Sequence, residues 1–294
     1  MTLPDLTYIT APMVKQSDAP FRLLTRRYGA TLVYTQMLDP HKLLEDRDYL
    51  EFHERDLTLD RDAWSGMVRP VVVQLCGNDP EIVVHAGKKI QGFCDGIDLN
   101  LGCPQEHARE GHYGGYLLAK KDWPLVQSVV SAMSHLLQPP TSVKLRLCPS
   151  SSPASSTVEF AALLEQAGAS WVTMHARHVS ARRRRQGAVD LDVVHALKKA
   201  LTVPVVSNGN VRTWEDMQRN KEETEADGVM VGETLLGNPC LFANIVPDPV
   251  RISLEYLQIC EELPDVATYK TIEAHIKHFI DFQWQVAHLR LRVA

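Results

Sequence analysis

Short β-rich apolar runs recur along the whole chain, in clear period-two alternation at Ile97, Leu99 and Leu101, and between them lie amphipathic, helix-like segments. These runs predict strands at Thr7–Met13, Leu32–Leu38, Val71–Cys76, Gly96–Gly102, Ser142–Leu147, Trp171–Arg177, Val203–Gly209 and Gly228–Gly232. Helices are expected at Pro20–Tyr28, Pro80–Ile90, Trp123–Leu137, Val158–Ala167, Leu191–Leu201 and Trp214–Asn220, with Ser156 and Glu159 as a capping box opening the fourth of these. Strand–helix alternation through residue 232 implies a parallel (β/α)8 TIM barrel, a fold of class α/β. A doubly wound open sheet is the runner-up, weakened because no G-x-G-x-x-G follows the first strand. After Pro239 the pattern becomes helical: Asp248-Pro249 reads as an N-cap and first helical residue, and Pro264 separates that helix from a last one beginning near Ala267. The chain thus divides into a barrel, residues 1–245, and a short helical part, residues 246–294, which stops without a cap and reads as incomplete.

Composition narrows the class. Of the 294 residues 45% are hydrophobic and 23% charged, ordinary for a globular chain. No apolar run reaches a membrane span, and Met1-Thr-Leu-Pro-Asp5 does not resemble a signal peptide. Cysteines at 76, 94, 103, 148, 240 and 260 form no C-x-x-C pair, which argues against a disulfide framework or a zinc site and for a reducing compartment. Cytoplasmic residence is expected, with the nucleus also open; no metal and no membrane partner are expected, and a monomer is. The net charge of −5 draws no nucleic acid by itself, so RNA binding would rest on a local patch.

The candidate chemistry lies at strand ends. Gly96-Ile-Asp-Leu-Asn-Leu-Gly-Cys-Pro-Gln105 places the thiol of Cys103 after a strand, three residues beyond the amide of Asn100. By itself this reads equally as a buried cysteine in a tight turn. Polar or small residues recur at the other strand ends, however: Pro12-Met13, Gln74, Lys144 and Arg146, His175 and Arg177, Asn208-Gly-Asn210, and Gly232. The C-terminal ends of barrel strands are where such a fold builds its active site. Gly209 with Asn210, and Gly232 with Glu233, follow strands seven and eight, a place suited to phosphate.

With these residues assembled, the chain resembles the tRNA dihydrouridine synthases. The matching stretches run in order from Ala11-Pro-Met-Val14 through Val73-Gln-Leu-Cys-Gly-Asn-Asp-Pro80, Asp98-Leu-Asn-Leu-Gly-Cys-Pro-Gln105, Gly111-His-Tyr-Gly-Gly115, Val143-Lys-Leu-Arg146, His175-Ala-Arg177 and Ser207-Asn-Gly-Asn210 to Gly228-Val-Met-Val-Gly232 with Gly237-Asn-Pro-Cys-Leu-Phe242. The similarity is greatest to the branch acting on uridines 16 and 17 of the tRNA D-loop. It implies an oxidoreductase that uses FMN, with NADPH or NADH as reductant, to reduce the C5=C6 bond of a uracil ring.

It further implies Cys103 as the general acid. Pro12, Met13, Gln74, Lys144, His175, Asn208, Gly209, Asn210, Gly232 and Glu233 would hold the flavin. Asn100, Arg146, Arg177 and the run Arg182, Arg183, Arg184, Arg185 would hold the tRNA, with His107, Arg109 and His112 as further candidates on a mobile loop and Lys270, Lys277, Arg290 and Arg292 as a cationic stripe on the last helix.

The chain departs from the family at Ala176 and Thr234, where Gly is usual, at Glu233, where many members have Arg, and at Leu191, where Trp is common. Thr234 is expected to restrict a turn if that turn needs positive φ. Two further readings are a catalytically impaired tRNA-binding relative and a flavin barrel acting on a free pyrimidine.

Overall fold

The computed structural model describes residues 3–62, 70–180 and 189–293, with side chains described outside 59–62 and 283–293. Eight parallel strands close into a barrel in sequence order: β1 Tyr8–Thr10, β2 Leu32–Leu38, β3 Val71–Leu75, β4 Gly96–Leu101, β5 Thr141–Arg146, β6 Trp171–His175, β7 Val205–Asn208 and β8 Gly228–Val231. Each expected strand is present, and the open-sheet alternative is excluded because β1 pairs with β8, Ile9 opposite Met230.

Two sets of side chains divide the interior. Leu6, Ile9, Ala11, Leu32, Tyr34, Val72, Trp171, Val206 and Met230 form a buried cluster of their own. Trp171 fits because β4 opens with Gly96, where a Cβ would stand 3.0 Å from the indole. The Trp171 indole N–H donates to the Tyr34 hydroxyl at 3.1 Å, so neither buried polar atom is stranded. Further along the strands Gln74, Asp98 and Ser142 occupy registered neighbouring positions on β3, β4 and β5, all of them buried.

Outside the barrel the expected helices are found, together with others that hydrophobic periodicity does not reveal, among them Pro40–Glu45 and Arg47–Asp62. The second docks through polar contacts: buried Asp56 receives the Arg22 guanidinium at 2.8 Å and the Ala19 amide at 2.9 Å. The proposed capping box is not one. That helix begins at Pro153, Ser156 lies inside it donating to the Ser150 hydroxyl, and Glu159 pairs with Lys120. Proline at the first helical position, where an N–H has no partner to lose, sets the start instead.

The helical part follows the reading more closely. Asp248 caps the helix Pro249–Glu262 by accepting from the Arg251 amide at 2.9 Å, and a last helix runs Tyr269–Val293. Ile252, Tyr256, Ile259 and Phe279 join the same hydrophobic core as the helices around the barrel. One carboxylate ties this part to the first strand–helix loop: Asp18 caps the helix Ala19–Arg27 through the Phe21 amide, receives the Tyr256 hydroxyl at 3.2 Å and lies 2.9 Å from His275 Nε2. Among the described residues no helix is long and apolar enough to cross a membrane, and no group of three or more His, Cys, Asp or Glu could hold a metal ion.

Barrel closure makes one glycine indispensable. A Cβ at Gly228 would fall inside the backbone carbonyl of Leu6, which leads into β1. Backbone cannot yield as a side-chain tip can, so Gly228→Ala is expected to lose at least about 3 kcal/mol of stability, read as a fall in Tm of roughly 6–12 °C or as insoluble protein. An unchanged melting curve would show that the β1–β8 seam relaxes freely.

Candidate active site

The C-terminal ends of β3 to β7 converge on one polar mouth. At its centre the strand β4 stops where Gly102 and Pro104 end the ladder, and the Asn100 side chain holds the turn that follows. Its Oδ1 accepts the backbone N–H of Gly102 at 3.0 Å and of Cys103 at 2.9 Å. Behind Cys103 lies the stretch His112-Tyr-Gly-Gly115. The Gly115 amide donates to the Cys103 carbonyl at 3.0 Å, and a Cβ on Gly114, whose φ is +63°, would stand 2.9 Å from the Cys103 Cβ. The glycine pair therefore exists to let a second segment pack directly against the thiol-bearing turn.

Burial pushes the Cys103 thiol above its ordinary value of 9.0, against smaller opposing contributions from the Gln105 backbone and the Arg146 guanidinium. The group is a thiol throughout the neutral range. His107 Nε2 lies 4.0 Å from its sulfur.

Beside Cys103, β5 and β6 present the cations. Lys144 Nζ donates to Asn208 Oδ1 at 2.8 Å, and Asn208 Nδ2 donates onward to the Met230 carbonyl at 2.8 Å, which fixes that amide's orientation. Desolvation and the neighbouring Arg146 pull Lys144 down to about 8, with Asp98 opposing. Arg146 donates to the His178 carbonyl at 2.9 Å, and Arg177 to Asn210 Oδ1 at 2.9 Å. His175 stands opposite Arg146 in register; desolvation, then Lys144, Arg146 and Arg177, hold it well below the usual imidazole value and therefore neutral. On the other side, Gln74 Nε2 donates to Asp98 Oδ2 at 2.8 Å and Asn100 Nδ2 donates to Gln74 Oε1 at 2.8 Å.

The remaining predicted positions rim the same mouth. Met13 lies beside Gly232, where a Cβ would be 3.6 Å from its sulfur, and Pro12 precedes it at the end of β1. Gly209 has φ +120° and a Cβ there would meet His175 at 3.1 Å, while Asn210 has φ +57°; glycine is needed at 209 so the chain can turn beside the imidazole. Gly232 and Glu233 start the short helix Glu233–Gly237.

Thr234 corrects an expectation. It sits in that helix, outside the positive-φ residues, and its hydroxyl donates to the Val211 carbonyl at 2.5 Å. Ala176 likewise avoids positive φ and is fully buried. His107 and Arg109 belong to the helix Glu106–Glu110 rather than a mobile loop; Arg109 pairs with Glu106, and His112 with Asp122 at 3.1 Å. Arg182, Arg183, Arg184 and Arg185 lie outside the described residues, as do the side chains of Arg290 and Arg292. Asp98 is the participant that sequence reasoning passed over, since in a strand of alternating residues it registers only as a polar position.

The donors suit a planar heteroaromatic carrying carbonyls. A primary amide, an ammonium and a neutral imidazole line one wall, and among the described residues the buried Arg177 Nε has no hydrogen-bond partner. The surplus of positive charge suits a phosphate or an electron-rich ring.

The chain matches the family Dihydrouridine synthase (Dus) over residues 9–291. It is 36% identical over 291 residues to the Mus musculus protein named tRNA-dihydrouridine(16/17) synthase NAD(P)(+)-like, covering 99% of this chain and 58% of that one. Against the Saccharomyces cerevisiae tRNA-dihydrouridine(16/17) synthase it is 35% identical over 280 residues, covering 90% and 63%. The chain thus spans about three-fifths of the length of these relatives. Among solved structures, a morphinone reductase mutant in complex with tetrahydroNAD superposes with a TM-score of 0.58 at 13% identity, covering 85% of this chain and 87% of that one, which speaks to the fold alone.

The raised thiol gives a pH prediction. Only the thiolate is alkylated, so iodoacetamide labelling of Cys103, followed by peptide mass spectrometry, is expected to rise with pH with a midpoint above 9.0. A midpoint below 8 would mean that the cations, not burial, govern this group.

Proposed function

Because the chain belongs to the dihydrouridine synthase family, we propose that it reduces the C5=C6 bond of D-loop uridines in tRNA, at positions 16 and 17, with FMN as cofactor and NADPH or NADH as reductant. The observation that carries this reading is a protonated cysteine held beside the Arg146 guanidinium, at a barrel mouth that also carries Lys144 and Arg177. FMN, when bound, supplies the hydride that adds to C6 of the uracil. Gln74, Lys144, His175 and Asn208 would hold its ring, with Pro12 and Met13 packed against it. The amides around Gly209, Asn210, Gly232 and Glu233 would hold its phosphate.

This chain's own contribution begins at the thiol. Cys103 delivers a proton from Sγ to C5, a role that needs a group still protonated at neutral pH. Arg146, next to that thiol and bearing a permanent charge, opposes the negative charge that develops on the pyrimidine carbonyl. Asn100 and Arg177 orient the base, which has to leave its stack to enter the mouth. Arg182, Arg183, Arg184 and Arg185 supply phosphate contacts. The relatives' names support the choice of positions 16 and 17 and of a nicotinamide reductant.

The impaired-relative reading rests on Ala176, Thr234 and the short helical part; neither of the two positions carries the left-handed backbone that would make a missing glycine costly. A pyrimidine-only barrel is disfavoured by the same relatives, whose names specify tRNA.

The decisive assay is dihydrouridine formation in unmodified tRNA by purified protein with FMN and NADPH, mapped by position. Product at 16 or 17 is expected; flavin-bound protein giving none would overturn the proposal. In Cys103→Ala, flavin reduction by NADPH should persist while uridine reduction falls by about 10²–10⁴-fold, the usual contribution of a general acid. Parental turnover in that variant would remove Cys103 from the role. Neutralising all four arginines of the 182–185 run should weaken tRNA binding and reduce the slope of log K against log salt by about 3. An unchanged slope would return those residues to solvent.

A further inference from the structure

The hydrogen bonds below the catalytic turn run in one allowed direction. Asn100 commits its side-chain oxygen to two backbone amides, at 3.0 and 2.9 Å, so only its NH2 group can face Gln74. Gln74 must answer with its oxygen, 2.8 Å away, which turns its own NH2 toward Asp98, 2.8 Å from Oδ2. An N–H arriving there needs an acceptor, and so does the Ser142 hydroxyl that donates to Oδ1 at 2.6 Å. A carboxylate meets both requirements. Reversing any amide in the series would set donor against donor or acceptor against acceptor.

We propose that Asp98 is a positioning residue for uridine reduction: its buried carboxylate fixes the orientation of the Gln74 and Asn100 amides and, through them, the turn that presents Cys103. The catalytic consequence rests on the function proposed above, whereas the positioning itself does not. A carboxylate is a costly way to fill this place. Burial pushes Asp98 up to about 6, with the Ser142, Gln74 and Lys144 contacts pulling the other way, and an apolar side chain would avoid that cost altogether. What an apolar side chain could not do is accept the Gln74 N–H, and that buried amide would then be held by Asn100 alone.

The distinction can be tested by substitution. In Asp98→Asn the new amide can keep its oxygen toward Gln74 and turn its nitrogen to Ser142, whose hydroxyl accepts as readily as it donates. Asp98→Ala leaves Gln74 held from one side only, by the Asn100 NH2 group.

Hydrogen–deuterium exchange, read on peptides spanning residues 101–105, should show the Gly102 and Cys103 amides exchanging about tenfold faster in Asp98→Ala, the loss of one hydrogen bond of ordinary strength. Asp98→Asn should exchange like the parent, and peptides covering β6 to β8 should be unchanged in both. Parental exchange at residues 101–105 in Asp98→Ala would overturn the proposal. So would faster exchange spread equally over all strands, the mark of a residue that merely holds the barrel together. If Asp98→Ala does not fold, Gln74→Met breaks the series one link higher, with the same local loosening expected and the same results overturning it.

In turnover, Asp98→Ala should lower uridine reduction at least about tenfold, and Asp98→Asn should restore it. A parent protein that reduces no uridine would defeat the function proposed above and leave the exchange result to judge Asp98.

Discussion

A closed barrel has an interior that its own side chains must fill, and here the strands fill it with two unlike materials. An apolar and aromatic cluster around Trp171 and Tyr34 occupies part of that interior, and Gln74, Asp98, Ser142 and Lys144 come together on β3, β4 and β5. Polar groups in a desolvated place must satisfy one another or shift their charge state. Both outcomes are visible. The amides and hydroxyl join Asp98 in a continuous series, while Lys144 falls to about 8, Asp98 rises to about 6 and His175 becomes neutral. The mouth retains Lys144, Arg146 and Arg177 above a single buried carboxylate. A chain with net charge −5 thereby carries a local positive field where an anionic cofactor or RNA would arrive.

Strands were legible because each is a short run rich in β-branched and apolar residues, alternating in β4 and nearly continuous in β3 and β8. The helix Arg47–Asp62 was not. It docks through an Arg22–Asp56 pair with side chains almost wholly shielded from solvent, and a hydrophobicity pattern carries no trace of a buried charge. The capping box at Ser156 failed for a related reason. A short motif fits many registers, and Pro153 settled the helix start three residues earlier.

The site shows the same division. Residues that end strands, such as Asn100, Lys144, His175 and Asn208, could be placed from position alone, because a barrel gathers all its strand ends on one face. What they do to each other could not. That Asn100 turns its oxygen inward to the Cys103 amide, or that Gly114 clears space for the Cys103 side chain from a loop eleven residues away, depends on three-dimensional approach. Asp98 is the clearest case. Within Ile-Asp-Leu-Asn-Leu the polar positions 98 and 100 look equivalent, yet one is sealed in the barrel and the other reaches the mouth.

The departures from the family's glycines can be weighed on the same terms. Glycine matters where φ is positive or where backbone must approach closely. At Gly209 both reasons apply, since φ is +120° and His175 and Val189 crowd the position. At position 234 neither does: the residue is helical, and its hydroxyl bonds the Val211 carbonyl. That bond links the turn after β7 to the turn after β8, the two segments expected to share a phosphate. Freedom of the backbone is given up there in exchange for a fixed spacing between the two turns. A site that binds by presenting backbone N–H groups gains from such fixation, because less motion is then lost when the anion arrives. The threonine is therefore better understood as a brace between the turns after β7 and β8 than as damage to one of them.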